Sequence, residues 1–209
     1  MDALIEITVS DSCNKNCSYC FEKRGGRPGG GEFDRWKPLI LAACDDVNAG
    51  KLPGVDGIAL TFWGGEPFIR YDRILDLIDA TSKYGFVSYH VYTNGTLERE
   101  TNQFIQDSRY KEVANRFFAQ ISYDGSPCNE KRRGYGFNDI RRQAVAFADS
   151  GSRVSFKATV SYEDVGLMPE LWDSYEALAG EWPDVKYSPT LDSMGSGDYD
   201  IGEWSDIVR

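Results

Sequence analysis

The chain has 209 residues, 41% of them hydrophobic, which is enough for one sizeable core and is read as a single domain over residues 1–209. Its 33 acidic against 23 basic side chains give a formal net charge of −10, which argues against a general nucleic-acid binder. No stretch nears the roughly 18 apolar residues of a membrane span, and the start Met1-Asp2-Ala3-Leu4 has no basic signal region, so a cytoplasmic protein with reduced thiols is expected.

The first strand-like run is Leu4–Val9, and just after it stand Cys13-Asn-Lys-Asn-Cys17-Ser-Tyr-Cys20. Three thiolates this close can hold three corners of a cubane iron–sulfur cluster and leave the fourth iron without a protein ligand. An open metal position marks chemistry rather than scaffolding. Other readings of the triplet fail. A structural zinc site takes four ligands, but His90, the one His, is remote, and Cys44 and Cys128 stand alone. Five cysteines, an odd number, do not make a disulfide framework. An electron-transfer ferredoxin would show four cysteines.

Gly25-Gly-Arg-Pro-Gly-Gly-Gly31 follows as a flexible connector with no phosphate-loop pattern. Beyond it, β-rich runs alternate with helical stretches. Further strands are expected at Gly57–Trp63, Val87–Thr93, Phe117–Tyr123, Val154–Val160 and, weaker, Val185–Ser188. Helices are expected at Phe33–Asn48, Tyr71–Tyr84, about Glu98–Ser108, Phe137–Ser150 and Met168–Ala179. Ile74, Leu75, Leu77 and Ile78 recur at helical spacing, as do Ile140, Ala144, Phe147 and Ala148. Gly151 sits where a C′ glycine ends a helix. Six strands alternating with helices imply parallel βαβ units and a partial (β/α)6 barrel of the α/β class. The chain stops about two turns into the place of a sixth helix, as either a minimal or a C-terminally truncated core.

Parallel α/β folds place chemistry at the C-terminal ends of their strands. The first strand delivers the three cysteines, and the second ends in Phe62-Trp63-Gly64-Gly65-Glu66-Pro67. Paired glycines allow close backbone approach to a ligand, and Glu66 adds an anionic acceptor. Thr93-Asn94-Gly95-Thr96-Leu97 and Ser122-Tyr123-Asp124-Gly125 mark the third and fourth strand ends.

Together these motifs resemble the radical S-adenosyl-L-methionine (SAM) superfamily, and within it the core domain of the branch of anaerobic sulfatase-maturating enzymes and ribosomal-peptide maturases. Asn129-Glu130-Lys131-Arg132-Arg133 resembles that branch's His-Asp-x-x-Arg segment, and Gly136-Phe137 its next helix start. The resemblance implies a radical SAM barrel in which Cys13, Cys17 and Cys20 ligate a 4Fe-4S cluster and SAM chelates the open iron. It places Gly64, Gly65, Glu66 and Pro67 at the methionine amino group. Ser122 and Arg133 fall at the carboxylate, for which guanidinium is well suited, and Tyr19 falls beside the adenine. No matching acid–base residue is found, so the catalytic group is unassigned. The implied reaction is reductive cleavage of SAM to a 5′-deoxyadenosyl radical that takes hydrogen from a peptide or protein side chain. A flavodoxin or ferredoxin would be the electron donor; no nucleic-acid or membrane partner is expected.

Other residues carry two readings. Asn94 is either a SAM or substrate contact or part of an Asn-Gly turn. Asp124 is a further candidate contact, and Asp164 either contacts SAM or caps a helix. Cys44 reads as a structural thiol, Cys128 as a structural thiol or one facing the active site, His90 as a packed strand residue rather than a ligand, and Asp192 and Asp198 as solvated loop or, by position, substrate contacts. By itself the run Lys131-Arg132-Arg133 reads as a solvated face; Lys131 and Arg132 lack counterparts in the branch, and replacing Arg132 is expected to be near neutral. Two other functions compete: a glycyl-radical-enzyme activase or small-molecule radical SAM enzyme, and a non-catalytic cluster-binding or partner-binding module.

Overall fold

The computed structural model describes residues 1–20, 33–126, 128–160, 168–181 and 186–191. The strands are β1 (Asp2–Ser10), β2 (Gly57–Gly64), β3 (Val87–Thr93), β4 (Phe117–Ser122), β5 (Arg153–Val160) and β6 (Lys186–Leu191). They form one sheet in the order β1-β2-β3-β4-β5-β6, every neighbouring pair parallel. Parallel strands laid down in chain order with right-handed crossovers put their helices on one face, so the sheet curls as a barrel segment. Among the described residues β1 and β6 are the edges of the sheet. Pro189, which has no N–H to give, lies in edge strand β6.

The helices are α1 (Phe33–Asn48), α2 (Tyr71–Thr81), α3 (Glu98–Gln106), α4 (Ser108–Val113), α5 (Cys128–Arg133), α6 (Phe137–Asp149) and α7 (Met168–Glu181). The expected third helix ends early because Asp107, extended at φ −66 and ψ 138, caps a new helix by accepting from the Arg109 N–H. The short helix α5 was missed altogether. It consists largely of charged residues, and its reason is tertiary.

Alternation along the strands separates two faces. Tyr89 and Val91 of β3, and Phe117, Ala119 and Ile121 of β4, are buried toward the helices. Between them Ser88, His90 and Tyr92, and Phe118, Gln120 and Ser122, face the inner side. On the helical side Phe68, Phe104, Tyr110, Phe117 and Phe147 join in one aromatic cluster, with Phe104 and Tyr110 centroids 4.7 Å apart. Burying each such side chain stabilises by about 1.5–3 kcal/mol. The strand ends are thereby held on a well-packed base. Cys44 and Cys128 are both buried, and His90 packs edge-on against Phe118 at 5.4 Å. Among the described residues no helix is long and apolar enough to cross a membrane.

Candidate functional site

The cysteine loop leaves β1 and is fastened to the next strand end by backbone. Gly65 N–H donates to Ser10 C=O at 2.8 Å, and Glu66 N–H to Ser12 C=O at 2.8 Å. A Cβ on Gly64, whose φ is +126, would lie 2.3 Å from the Ser10 carbonyl oxygen, and one on Gly65 2.4 Å from that of Ser12. The glycine pair is thus required by the chain's own approach, whatever a ligand adds.

Glu66 is fully buried and serves as a brace between β2 and β3. Its Oε1 accepts from the Thr93 hydroxyl at 2.8 Å and the Phe68 N–H at 3.1 Å; its Oε2 accepts from the Asn94 N–H at 2.8 Å. Burial pushes its carboxyl up to about 7, against the pull of those three donors. The carboxylate expected to lie near a methionine amino group is therefore turned into the protein. Pro67 follows, buried, and opens a 3-10 turn over Pro67–Arg70.

Asn94 reaches the loop itself. Its Nδ2 donates to Asn14 Oδ1 at 2.8 Å and lies 3.8 Å from Cys13 Sγ, while Asn14 Nδ2 donates to Thr96 Oγ1 at 2.9 Å. The Asn-Gly turn is also present, with Gly95 at φ +70. The turn reading of Asn94 is thus realised, and its side chain is bonded to the cysteine loop.

At the fourth strand end the hub is Asp124, 1% exposed. Arg133 Nε donates to its Oδ2 at 2.7 Å and Arg133 Nη2 to its Oδ1 at 2.8 Å. Tyr19 Oη donates to Oδ2 at 2.9 Å, and Thr159 N–H to Oδ1 at 2.8 Å. Asn129, in the place of the branch's His, accepts from the Asp124 N–H at 3.0 Å. Burial works to lower Arg133's pKa, but the Asp124 charge outweighs it and holds the guanidinium firmly protonated. Tyr19, between burial and the Asp124 charge, is pushed far above the usual tyrosine range. Ser122 ends β4 half-buried on the inner side, its carbonyl accepting from the Tyr135 hydroxyl at 3.1 Å.

One expectation is corrected here. Arg132 is no solvated charge: it is 7% exposed, donates to the Thr159 carbonyl, and lies 4.0 Å from the centroid of the Tyr19 ring. A run of three cations hides which of them turns inward until α5 is placed. Asp164, Asp192, Asp198 and the glycine-rich connector lie outside the described residues.

Cys13, Cys17 and Cys20 are in no disulfide and lie half-buried on the one loop. Burial, and then the neighbouring Glu66, Cys17 and Cys20 charges, raise the Cys13 thiol above its usual range, partly offset by the Lys15 N–H. Among the described residues no three ligating side chains form a group that could hold a single metal ion. A cubane spreads its ligands over separate corners, and three thiols with no fourth are the donor set it takes when one iron stays open. The residues fit such a cluster.

Comparison with known proteins agrees. The Radical SAM superfamily model matches residues 7–163. The chain belongs to the radical SAM superfamily. A relative, the S-adenosylmethionine-dependent nucleotide dehydratase of Psychrobacter lutiphocae, is 28% identical over 113 residues, covering 50% of this chain and 36% of the relative. A GTP 3′,8-cyclase of Erythrobacter litoralis is 32% identical over 114 residues, covering 52% and 32%. Among solved structures, anSMEcpe with bound AdoMet and the Cp18Cys peptide superposes with a TM-score of 0.67 at 18% identity. That match covers 100% of this chain and 58% of the other. The radical SAM barrel is therefore the fold, and the superfamily's cofactors are a 4Fe-4S cluster and SAM. The chain spans about a third of the length of the curated relatives and a little over half of that solved structure.

Proposed function

We propose that this chain is the catalytic core of a radical SAM enzyme acting on a peptide or protein side chain. The observation that carries the chemistry is the loop of three half-buried cysteines, set between the Gly64–Gly65 turn and the Asp124 hub. When bound, the cluster would supply one electron to SAM, whose cleavage yields the radical that takes hydrogen from substrate. The residues have simpler duties. Cys13, Cys17 and Cys20 would hold three irons, and the carbonyls around Gly64–Pro67 would accept from the methionine amino group. Ser122 and the remaining N–H groups of Arg133 would face the carboxylate, with Tyr19 beside the cluster. An external donor of the flavodoxin or ferredoxin type would reduce it.

Support for a peptide comes from the inner face and from the fold. Among the described residues β1 and β6 are the sheet's edges, and Tyr92 on the inner side of β3 is exposed. An extended chain segment could lie along that inner side. The fold shared over the whole chain is that of a protein solved with a peptide.

A nucleotide is the second reading. It rests on the printed activities of the two relatives and on Lys157, which lies over the Tyr92 ring at 5.8 Å on the inner side. Deuterium transfer into 5′-deoxyadenosine distinguishes the two. Label arriving from a peptide side chain supports the first reading. Label arriving from a nucleoside triphosphate, with none from any peptide, overturns it and leaves the radical chemistry standing. No SAM cleavage by the reconstituted protein under dithionite overturns both.

A further inference from the structure

We propose that Asp124 and Arg132 are positioning residues of the cluster site, which latch Tyr19, and with it Cys17 and Cys20, onto the ends of β4 and β5. The inference rests on the reading of the thiol loop as a cluster site.

The latch is made of three contacts on two adjacent loop residues. Ser18 N–H donates to the Arg132 carbonyl at 3.0 Å, Tyr19 Oη donates to Asp124 Oδ2 at 2.9 Å, and the Arg132 guanidinium covers the Tyr19 ring at 4.0 Å. Cation and ring attract more strongly where both are shielded from water, and Arg132 is nearly buried. Both partners are themselves held. The Thr159 peptide on β5 donates its own N–H to Asp124 and accepts from Arg132 at its carbonyl. Arg133 grips Asp124 with two parallel bonds. Four donors from the protein occupy the Asp124 carboxylate, so it acts through Tyr19 rather than on a cluster or SAM.

The Cys13 end has separate fastenings, from Gly65, Glu66 and Asn94. Ser18 and Tyr19 therefore tie the segment carrying the other two thiols, alongside the Lys15 ammonium over the Tyr135 ring at 4.9 Å. A cubane needs all three sulfurs at set positions. Without the latch, cluster binding itself must order the Cys17–Cys20 segment, and retention weakens accordingly.

Holo protein and variants are challenged anaerobically with an iron(II) chelator, and the decay of cluster absorbance is followed well below each variant's melting temperature. Arg132→Ala and Asp124→Asn are expected to lose the cluster on the order of tenfold faster than wild type. Tyr19→Phe keeps the ring and loses the hydroxyl, so a smaller acceleration is expected. Combining it with Asp124→Asn should add little, because the carboxylate to which the Tyr19 hydroxyl donates is already gone. Arg132→Lys, charged but not planar, should fall between Arg132→Ala and wild type. Lys131→Ala, exposed on the same helix, should match wild type. The electron paramagnetic resonance spectrum of the reduced cluster should change in Arg132→Ala and Asp124→Asn, a readout that lowered stability alone does not move.

Wild-type release rates and spectra in those two variants would overturn the latch, as would independent, multiplicative effects of Tyr19→Phe and Asp124→Asn. Should Asp124→Asn not fold, Arg132→Lys and Tyr19→Phe decide the question by the same rates. A wild-type protein that takes up no four-iron cluster defeats the cluster reading itself.

Discussion

The two ends of the cysteine loop are held by different means. The Cys13 end lies on the backbone of Gly65 and Glu66, so close that no Cβ fits at Gly64 or Gly65. The Tyr19 end is held largely by side chains, through Asp124, Arg132 and Arg133. A backbone fastening is insensitive to most substitutions and intolerant of a few. A side-chain fastening can be weakened by degrees, because each contact is a separate bond.

The largest expected effect tests whether both ends serve one cluster. Cys17→Ala should abolish the absorbance of the reconstituted cluster, and Cys44→Ala should leave it intact, read together with about four irons per chain in the wild type. If Cys44 or Cys128 proves equally necessary, the ligand assignment is wrong.

Arg133→Ala comes next. Removing it strands the Asp124 carboxylate, buried and uncompensated, at a cost of about 3–5 kcal/mol. Chemical denaturation should show that loss, and calorimetry should show weakened SAM binding in whatever folds. A partial recovery of stability in Arg133→Ala with Asp124→Ala would identify the stranded charge as the cause. A stable Arg133→Ala would mean that the side-chain end bears little of the load.

Gly65→Ala probes the backbone end. Its new Cβ meets the Ser12 carbonyl at 2.4 Å, so the loop must shift, at a cost on the order of 3 kcal/mol. Iron content should fall with it. Normal melting and normal iron uptake would show that this end yields more readily than its geometry indicates.

The smallest effect concerns Glu66, the brace behind the backbone end. Burial lifts its carboxyl from 4.5 to about 7, so between those values the folded protein holds a proton that the unfolded chain has released. Stability of the cluster-free protein should therefore fall as pH rises from about 4.5 to about 7, and Glu66 should add no further slope above. Glu66→Gln should remove that component and cost about 1–3 kcal/mol, since its amide N–H groups face donors. An unchanged pH profile in Glu66→Gln would assign the slope to other groups.

Much of this was legible in the chain alone. The strand β3, Val87–Thr93, and the start of every long helix follow from periodicity and turn residues, which are local properties. The thiol triplet announces its chemistry because three soft ligands within eight residues have few other uses. Gly64 and Gly65 announce a close approach, although the partner that needs it, the carbonyls of Ser10 and Ser12, is revealed only by the packing of β1 against β2.

What the sequence by itself determined is therefore the order of strands and helices, the donor set and the family resemblance, each encoded by neighbours along the chain. What only the tertiary structure decided is direction. Glu66 turns inward to join two strands, and Asp124 gathers a tyrosine 105 positions away and an amide 35 positions away. Arg132 turns onto Tyr19 while Lys131 beside it stays in water. Three adjacent cations have nearly the same local preferences. A buried carboxylate and an aromatic ring, brought close by strands that pair far apart in sequence, distinguish them, because an ionic or cation–ring contact gains its strength where water is excluded.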